Sequence, residues 1–330
     1  MSDYIVRKHL IVRGLEISPP IVLAPMVGIS HSAFRTLVQE QGGVGLMFTE
    51  MLAAKRLPHD NELISPLLVR DKSEKPLVYQ IIAANEVTIG PAVEKLHKLG
   101  AEGIDLNLGC PAPVHRRQGA GAVLAGNLQQ LRKVLCLLRK STELPLSVKI
   151  RLGRSHDVDE LRSFCLFLEA EGVDMITIHA RLNGEKFCRK PRWAVIGEIK
   201  DAVSVPILAN GGIFSPADAR RCLELSGADG LMIGRGAVEQ PWLCADIARE
   251  VYGIGTKSVQ KERSDIYFQF IDLLELRFAQ ERRLGRLKQF TRYFAASFQF
   301  GHHLAASIQN SDSIEQARQR ADIFFERSVC

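Results

Sequence analysis

The chain contains no Cys-x-x-Cys pair, and its seven cysteines (Cys110, Cys136, Cys165, Cys188, Cys222, Cys244 and Cys330) are odd in number and scattered. That pattern offers neither a zinc or iron–sulfur signature nor a disulfide framework, so no metal is expected, and the expected address is a reducing compartment, the cytoplasm. No run of roughly 18 apolar residues occurs either, which argues against a membrane-spanning helix. Met1–Leu15 lacks an uninterrupted apolar stretch and carries Arg7, Lys8 and Arg13, which argues against a secretory signal. Charge of one sign is not in large excess. A net charge of +6 permits an anionic partner without demanding one.

What the chain does have is rhythm. Apolar or β-branched runs recur at Ile21–Met26, Gly45–Met51, Leu77–Ala83, Gly103–Gly109, Leu146–Leu152, Met175–Ala180, Pro206–Ala209 and Gly230–Ile233. Amphipathic helical patterns separate them: Ile89, Val93, Leu96 and Leu99 share one face, as do Leu131, Val134, Leu135 and Leu138. Continuous apolar strands alternating with such helices predict a parallel sheet covered on its outside, and eight units predict a (β/α)8 TIM barrel, an α/β fold. A doubly wound open sheet is the competing arrangement. The stretch from Tyr4 to Ile17 predicts a hairpin at the barrel's bottom, with Tyr4–Val12 and Gly14–Ile17 as its arms. Beyond Trp242 the rhythm stops. Three helices, over 262–283, 287–300 and 314–328, predict a small C-terminal helical domain, so the chain divides into residues 1–250 and 251–330.

In such a barrel, function gathers at the C-terminal strand ends, and phosphate binds at the loops after the last two strands. Those loops read Asn210-Gly211-Gly212 and Gly234-Arg235-Gly236. Glycine lets backbone N–H groups approach an anion, and Arg235 adds a forked cation. The bland alternative is a pair of tight turns. Other strand ends carry Gln80 and Asn107, whose amides suit a heterocycle edge, and Cys110, a potential proton donor in a loop between Gly and Pro. Lys149 in an apolar strand is costly to bury unless it faces an anionic partner, and His179 stands at the end of the sixth run.

Together these residues resemble the tRNA-dihydrouridine synthase family over nearly the whole chain. The most specific motif is Asn107-Leu108-Gly109-Cys110-Pro111, followed by Gly119-Ala120-Gly121-Ala122, Val148-Lys149-Ile150-Arg151, His179-Ala180-Arg181 and the two glycine turns. The resemblance implies FMN, reduced by NADPH or NADH, with Pro25, Met26 and Val27 packing under its ring and Gln80, Lys149 and His179 around it. Asn210, Gly211, Gly212, Gly234 and Arg235 are implied to hold its phosphate. Hydride then passes to C6 of a uracil and Cys110 protonates C5, while Asn107 and Arg181 orient the uracil. The implied partner is tRNA, the target uridine leaving its stack to enter the mouth. The implied chain is a monomer whose helical domain binds RNA.

Basic segments His115-Arg116-Arg117, Arg189-Lys190-Pro191-Arg192 and Arg282, Arg283, Arg286, Lys288 and Arg292 are candidate phosphate contacts, although the last set also fits a solvated helix face. Glu50 receives no role. The chain departs from the family's pattern after Cys110-Pro111, where Ala112-Pro113-Val114 replaces a lysine-bearing stretch, and between Leu182 and Arg192. A small-molecule FMN oxidoreductase of the dihydroorotate-dehydrogenase type is the main competitor, and the tail and rim arginines favour RNA. A non-catalytic RNA-binding barrel is a second, against which Cys110 and Lys149 argue.

Overall fold

A computed structural model describes residues 7–255 and 262–328. The chain opens with strands β1 (Leu10–Val12) and β2 (Leu15–Ile17), an antiparallel hairpin turned by Arg13 and Gly14, both at positive φ. The rest of the predicted hairpin, from Tyr4, begins outside the described residues. Among the described residues nine further strands follow: β3 (Ile21–Leu23), β4 (Leu46–Phe48), β5 (Leu52–Ala53), β6 (Leu77–Ile82), β7 (Gly103–Asn107), β8 (Leu146–Arg151), β9 (Met175–His179), β10 (Ile207–Asn210) and β11 (Gly230–Ile233). All their pairings are parallel, and β11 returns to β3 with Leu231 opposite Ile21, which closes the sheet. The two-residue β5 only extends the edge of β6, so the barrel proper has the eight predicted strands.

Strand alternation sorts the core into two layers. Val22, Ala24, Leu46, Phe48, Val78, Met175, Leu208 and Met232 fill the barrel interior, and Leu10, Val12 and Ile17 of the hairpin join them as a plug. The alternate residues Ile21, Leu23, Met47, Tyr79, Ile104, Leu106 and Val148 face the surrounding helices in a second cluster. Full closure leaves no sheet edge, which is why the continuous apolar strands are tolerated.

The outer cluster runs without interruption into the tail, taking in Phe270, Leu274, Leu287, Phe290 and Phe294. Among its described residues the tail holds four α-helices, Arg263–Arg277, Arg283–Phe294, Gly301–Gln309 and Ile314–Ser328, where three were expected. The helix expected over 287–300 stops at Phe294. Phe300 takes a left-handed conformation, and Gly301 packs so tightly that an added Cβ would lie on the Ala295 carbonyl oxygen. The helical spacing of Phe290, Phe294 and Phe298 concealed that break, because Phe298 still meets Phe294 at 5.4 Å through a turn. Helix Ser32–Gln41 of the barrel carries the first tail helix against its side.

Near that contact lies a fully buried ion pair, Arg35 Nε to Glu74 Oε2 at 2.6 Å. Arg35 also donates to the Ser30 and Val69 carbonyls, and Glu74 accepts from Ser32, Thr36 and the Asp71 N–H. Removing one partner strands a buried charge. Glu74→Ala is therefore expected to cost about 3–5 kcal/mol in a denaturant unfolding curve; a loss below ~1 kcal/mol would show that the pair is not the anchor described.

Candidate active site

The C-terminal ends of the barrel strands open into a cavity of about 350 Å³. Lining it are Pro25, Met26, Val27, Gln80, Asn107, Cys110, Lys149, His179, Asn210, Gly211, Gly212, Gly234 and Arg235, every flavin-site, uracil-site and proton-donor candidate named from sequence except Arg181. Arg181 is instead buried behind the wall. Its guanidinium donates to the Arg189 carbonyl at 2.7 Å and the Phe187 carbonyl at 3.2 Å, so it shapes the loop over the mouth.

On one side a hydrogen-bond chain fixes the cysteine loop. Asp105, fully buried in β7, accepts from Ser147 Oγ at 2.7 Å and from Gln80 Nε2 at 2.8 Å. The Gln80 amide is thereby oriented, leaving Oε1 to accept from Asn107 Nδ2 at 2.9 Å. Asn107 Oδ1 in turn accepts the N–H groups of Gly109 and Cys110, at 3.2 and 2.9 Å. Half-buried Cys110 is thus held at the cavity wall through backbone contacts. Gly121, at positive φ, leaves no room for a Cβ beside the Cys110 carbonyl, which accounts for glycine at that position.

The opposite wall is cationic. Lys149 and Arg151 alternate in β8 with buried Val148 and Ile150, so both point to the cavity. Desolvation, with Arg151 nearby, pulls the Lys149 ammonium down to about 8, and Asp105 acts in the opposite direction. Asp105 itself is pushed up by burial to about 6. His179 is pulled down to about 2 by burial and then by Lys149, Arg151, Arg181 and Arg235, and is therefore neutral. Because Arg181 only donates, its 3.1 Å contact with His179 Nε2 places the imidazole proton on Nδ1.

The final two strand ends are built for close approach. Gly211 and Gly212 sit at φ of +107 and +75, and a Cβ on Gly211 would strike the His179 ring. Asn210 ties β10 to β11 through a 2.7 Å bond to the Met232 carbonyl. Arg235 begins a short helix, and its guanidinium lies 4.5 Å from the Phe187 ring and 5.7 Å from Phe214. Ser215 caps the helix Pro216–Ser226, as Ser-Pro suggests in sequence.

Several residues escaped the sequence reading. Arg151 carried a signal, since it lies two positions from Lys149 on the same strand face. Phe187 comes from an irregular loop, and Gln289 and Tyr293 reach the cavity from the tail helix Arg283–Phe294, so no local pattern marks them. Among the basic segments, Arg116, Arg117, Arg189, Lys190, Arg282 and Arg292 are exposed. Arg192 is engaged with Glu185 at 2.6 and 2.8 Å, and Arg283 donates to the Phe278 and Glu275 carbonyls. Among the described residues no helix is long and apolar enough to cross a membrane.

The family model described as Dihydrouridine synthase (Dus) matches residues 22–328. A probable tRNA-dihydrouridine synthase of Rhodobacter capsulatus is 35% identical over 246 residues, covering 73% of this chain and 74% of that one. One from Mycobacterium tuberculosis is 28% identical over 328 residues, covering 93% and 83%. Among solved structures, histamine dehydrogenase from Rhizobium sp. 4-9 superposes with a TM-score of 0.59 at 12% identity, over 82% of this chain and 51% of that one. A 2-naphthoyl-CoA reductase superposes at 0.56 and 12% identity, over 80% and 55%. The chain spans about half the length of those two structures, and at such identity the likeness is one of fold.

The lysine's displaced titration has a measurable sign. Between about 8 and its ordinary value of 10.5 the folded protein binds fewer protons than the unfolded chain, so stability attributable to Lys149 rises with pH across that window. Lys149→Met is expected to flatten the rise, which for one group cannot exceed ~1.4 kcal/mol per pH unit. Identical slopes for both proteins in denaturant unfolding would show that the ammonium is not desolvated.

Proposed function

The chain belongs to the dihydrouridine synthase family, and on that premise we propose that it is an FMN-dependent enzyme reducing uridines of tRNA to 5,6-dihydrouridine with NADPH or NADH as reductant. One observation carries the reading: a single cavity brings Cys110, Lys149, His179 and two glycine-rich strand ends together. The residues present fit FMN. Gly234 leaves open the space that a side chain would fill, Gly211 and Gly212 bring backbone to the cavity wall at positive φ, Arg235 offers a cation for a phosphate, and Lys149 donates no hydrogen bond to any described residue. That lysine suits an electron-rich ring edge. When bound, FMN supplies hydride chemistry, directed at C6 of the uracil.

The protein's own part is orientation and proton supply. Pro25, Met26 and Val27 floor the ring site, and Gln80 and Asn107 set the wall that carries Cys110. The Cys110 thiol donates its proton to C5 as C6 is reduced, so the sulfur must face the uracil from the side away from the flavin. His179, neutral, is a hydrogen-bonding group there and not a cation. Arg181 serves the uracil indirectly, by holding the backbone of the Phe187 loop. Residues 1–250 are the catalytic unit and 251–330 the RNA-docking unit of a monomer acting in the cytoplasm. Arg116, Arg117, Arg189 and Lys190, exposed around the mouth, and Arg282, Lys288 and Arg292 on the tail are the phosphate contacts. A uridine turned out of its stack must be steered by such contacts, which makes binding salt-sensitive.

Cys110→Ala is expected to keep FMN, read as the flavin absorbance of the purified protein, while dihydrouridine formation on a tRNA transcript falls about 10²–10⁴-fold. Turnover near that of the parent would remove the thiol from the reaction.

A further inference from the structure

The loop that leaves β3 carries Pro25, Met26 and Val27 to the cavity and closes as a turn, the Ile29 N–H donating to the Met26 carbonyl at 3.0 Å. Gly28 stands third in that turn at φ +76. A third residue at positive φ marks the type II form, which differs from type I by a flip of the central peptide. Here the central peptide joins Val27 to Gly28, and both of its polar atoms are gripped. The Gly28 N–H donates to Glu50 Oε1, from just beyond β4. The Val27 carbonyl accepts from Gln289 Nε2 at 3.1 Å, from the tail helix Arg283–Phe294.

We propose that Glu50 and Gln289 are positioning residues that lock the Val27–Gly28 peptide in its type II orientation, and so fix the floor on which the flavin ring lies. The inference rests on the flavin reading above. Chemistry makes the grip directional. A flipped peptide would turn its carbonyl toward the Glu50 carboxylate, oxygen against oxygen in a site where Glu50 is 3% exposed, so the directional grip is that of Glu50, while the Gln289 amide holds the peptide's other end. Glu50 Oε2 and Arg286 Nε are both buried and without partners, so no competing bond draws the carboxyl aside; burial pushes Glu50 up from its ordinary value, and the Gly28 N–H, Arg286 and Arg35 act against that. Gln289 also lies where a Cβ on Gly28 would fall, and the φ of +76 itself favours glycine there. The tail helix is in this sense part of the cofactor site.

The test uses the full chain, FMN alone and four proteins: wild type, Glu50→Gln, Gln289→Ala and the double variant. A glutamine at position 50 can meet either an N–H or a carbonyl, so it removes the directionality while keeping size. Each single change is expected to weaken FMN binding about threefold, since one grip remains, and the double change by tenfold or more, beyond the product of the two singles. The visible circular dichroism of the bound flavin shifts in the same order, a readout that mere loss of stability does not move. Should the double variant not fold, Gln289→Ala, a change on the surface, decides by its dichroism. Wild-type affinity and dichroism in the variants would overturn the positioning role alone. A wild type that takes up no FMN would remove the flavin reading, and this inference with it.

Discussion

A buried carboxylate dictates the geometry of one half of the cavity. Asp105 can only accept, so Gln80 must present its NH2 group to it and its oxygen to Asn107, and Asn107 must then turn its own oxygen to the backbone of Gly109 and Cys110. Two amides that could each lie either way are thereby set in one sense. The loop after β7 hangs from the last of them. No side chain touches the cysteine's sulfur directly in this chain of bonds, so the sulfur is placed by the backbone and left to react. Ser147 and Lys149, on the neighbouring strand, satisfy and balance the carboxylate, which burial alone would neutralise.

The other half of the cavity is governed by crowding of positive charge. Burial first, and then the nearby charges of Lys149, Arg151, Arg181 and Arg235, keep His179 neutral. Arg235 is steadied by the faces of Phe187 and Phe214 and makes no ion pair with a described carboxylate, although Glu239 feels its charge, which leaves the guanidinium able to meet an anion. A phosphorylated cofactor and the backbone of a polynucleotide both suit such a mouth. The glycine turns of β10 and β11 add the close backbone approach that arginine alone cannot give.

Much of this was legible in the sequence because it lives in strands. Strand periodicity and the register of eight units marked the barrel, and every strand-end candidate but Arg181 lines the cavity. Arg181 was misplaced because sequence tells that a residue stands at a strand end and not which side of the wall its long side chain takes. Glu50 looked unremarkable for a related reason: its partner is a backbone N–H of Gly28, and backbone partners leave no mark on composition. Gln289 and Tyr293 were hidden by distance along the chain. The fourth tail helix was hidden by Phe290, Phe294 and Phe298, whose spacing persists through a turn that the left-handed Phe300 and the cramped Gly301 impose.

The central claim is that the thiol and the flavin serve opposite faces of one uracil. It is tested most directly by running the reaction on a uridine-bearing tRNA in deuterated water with a protiated nicotinamide, and locating the label in the dihydrouridine by mass spectrometry and NMR. The account predicts solvent deuterium at C5, delivered through Cys110, and protium from the reductant at C6. Deuterium at C6 with protium at C5, or no dihydrouridine at all, would contradict it.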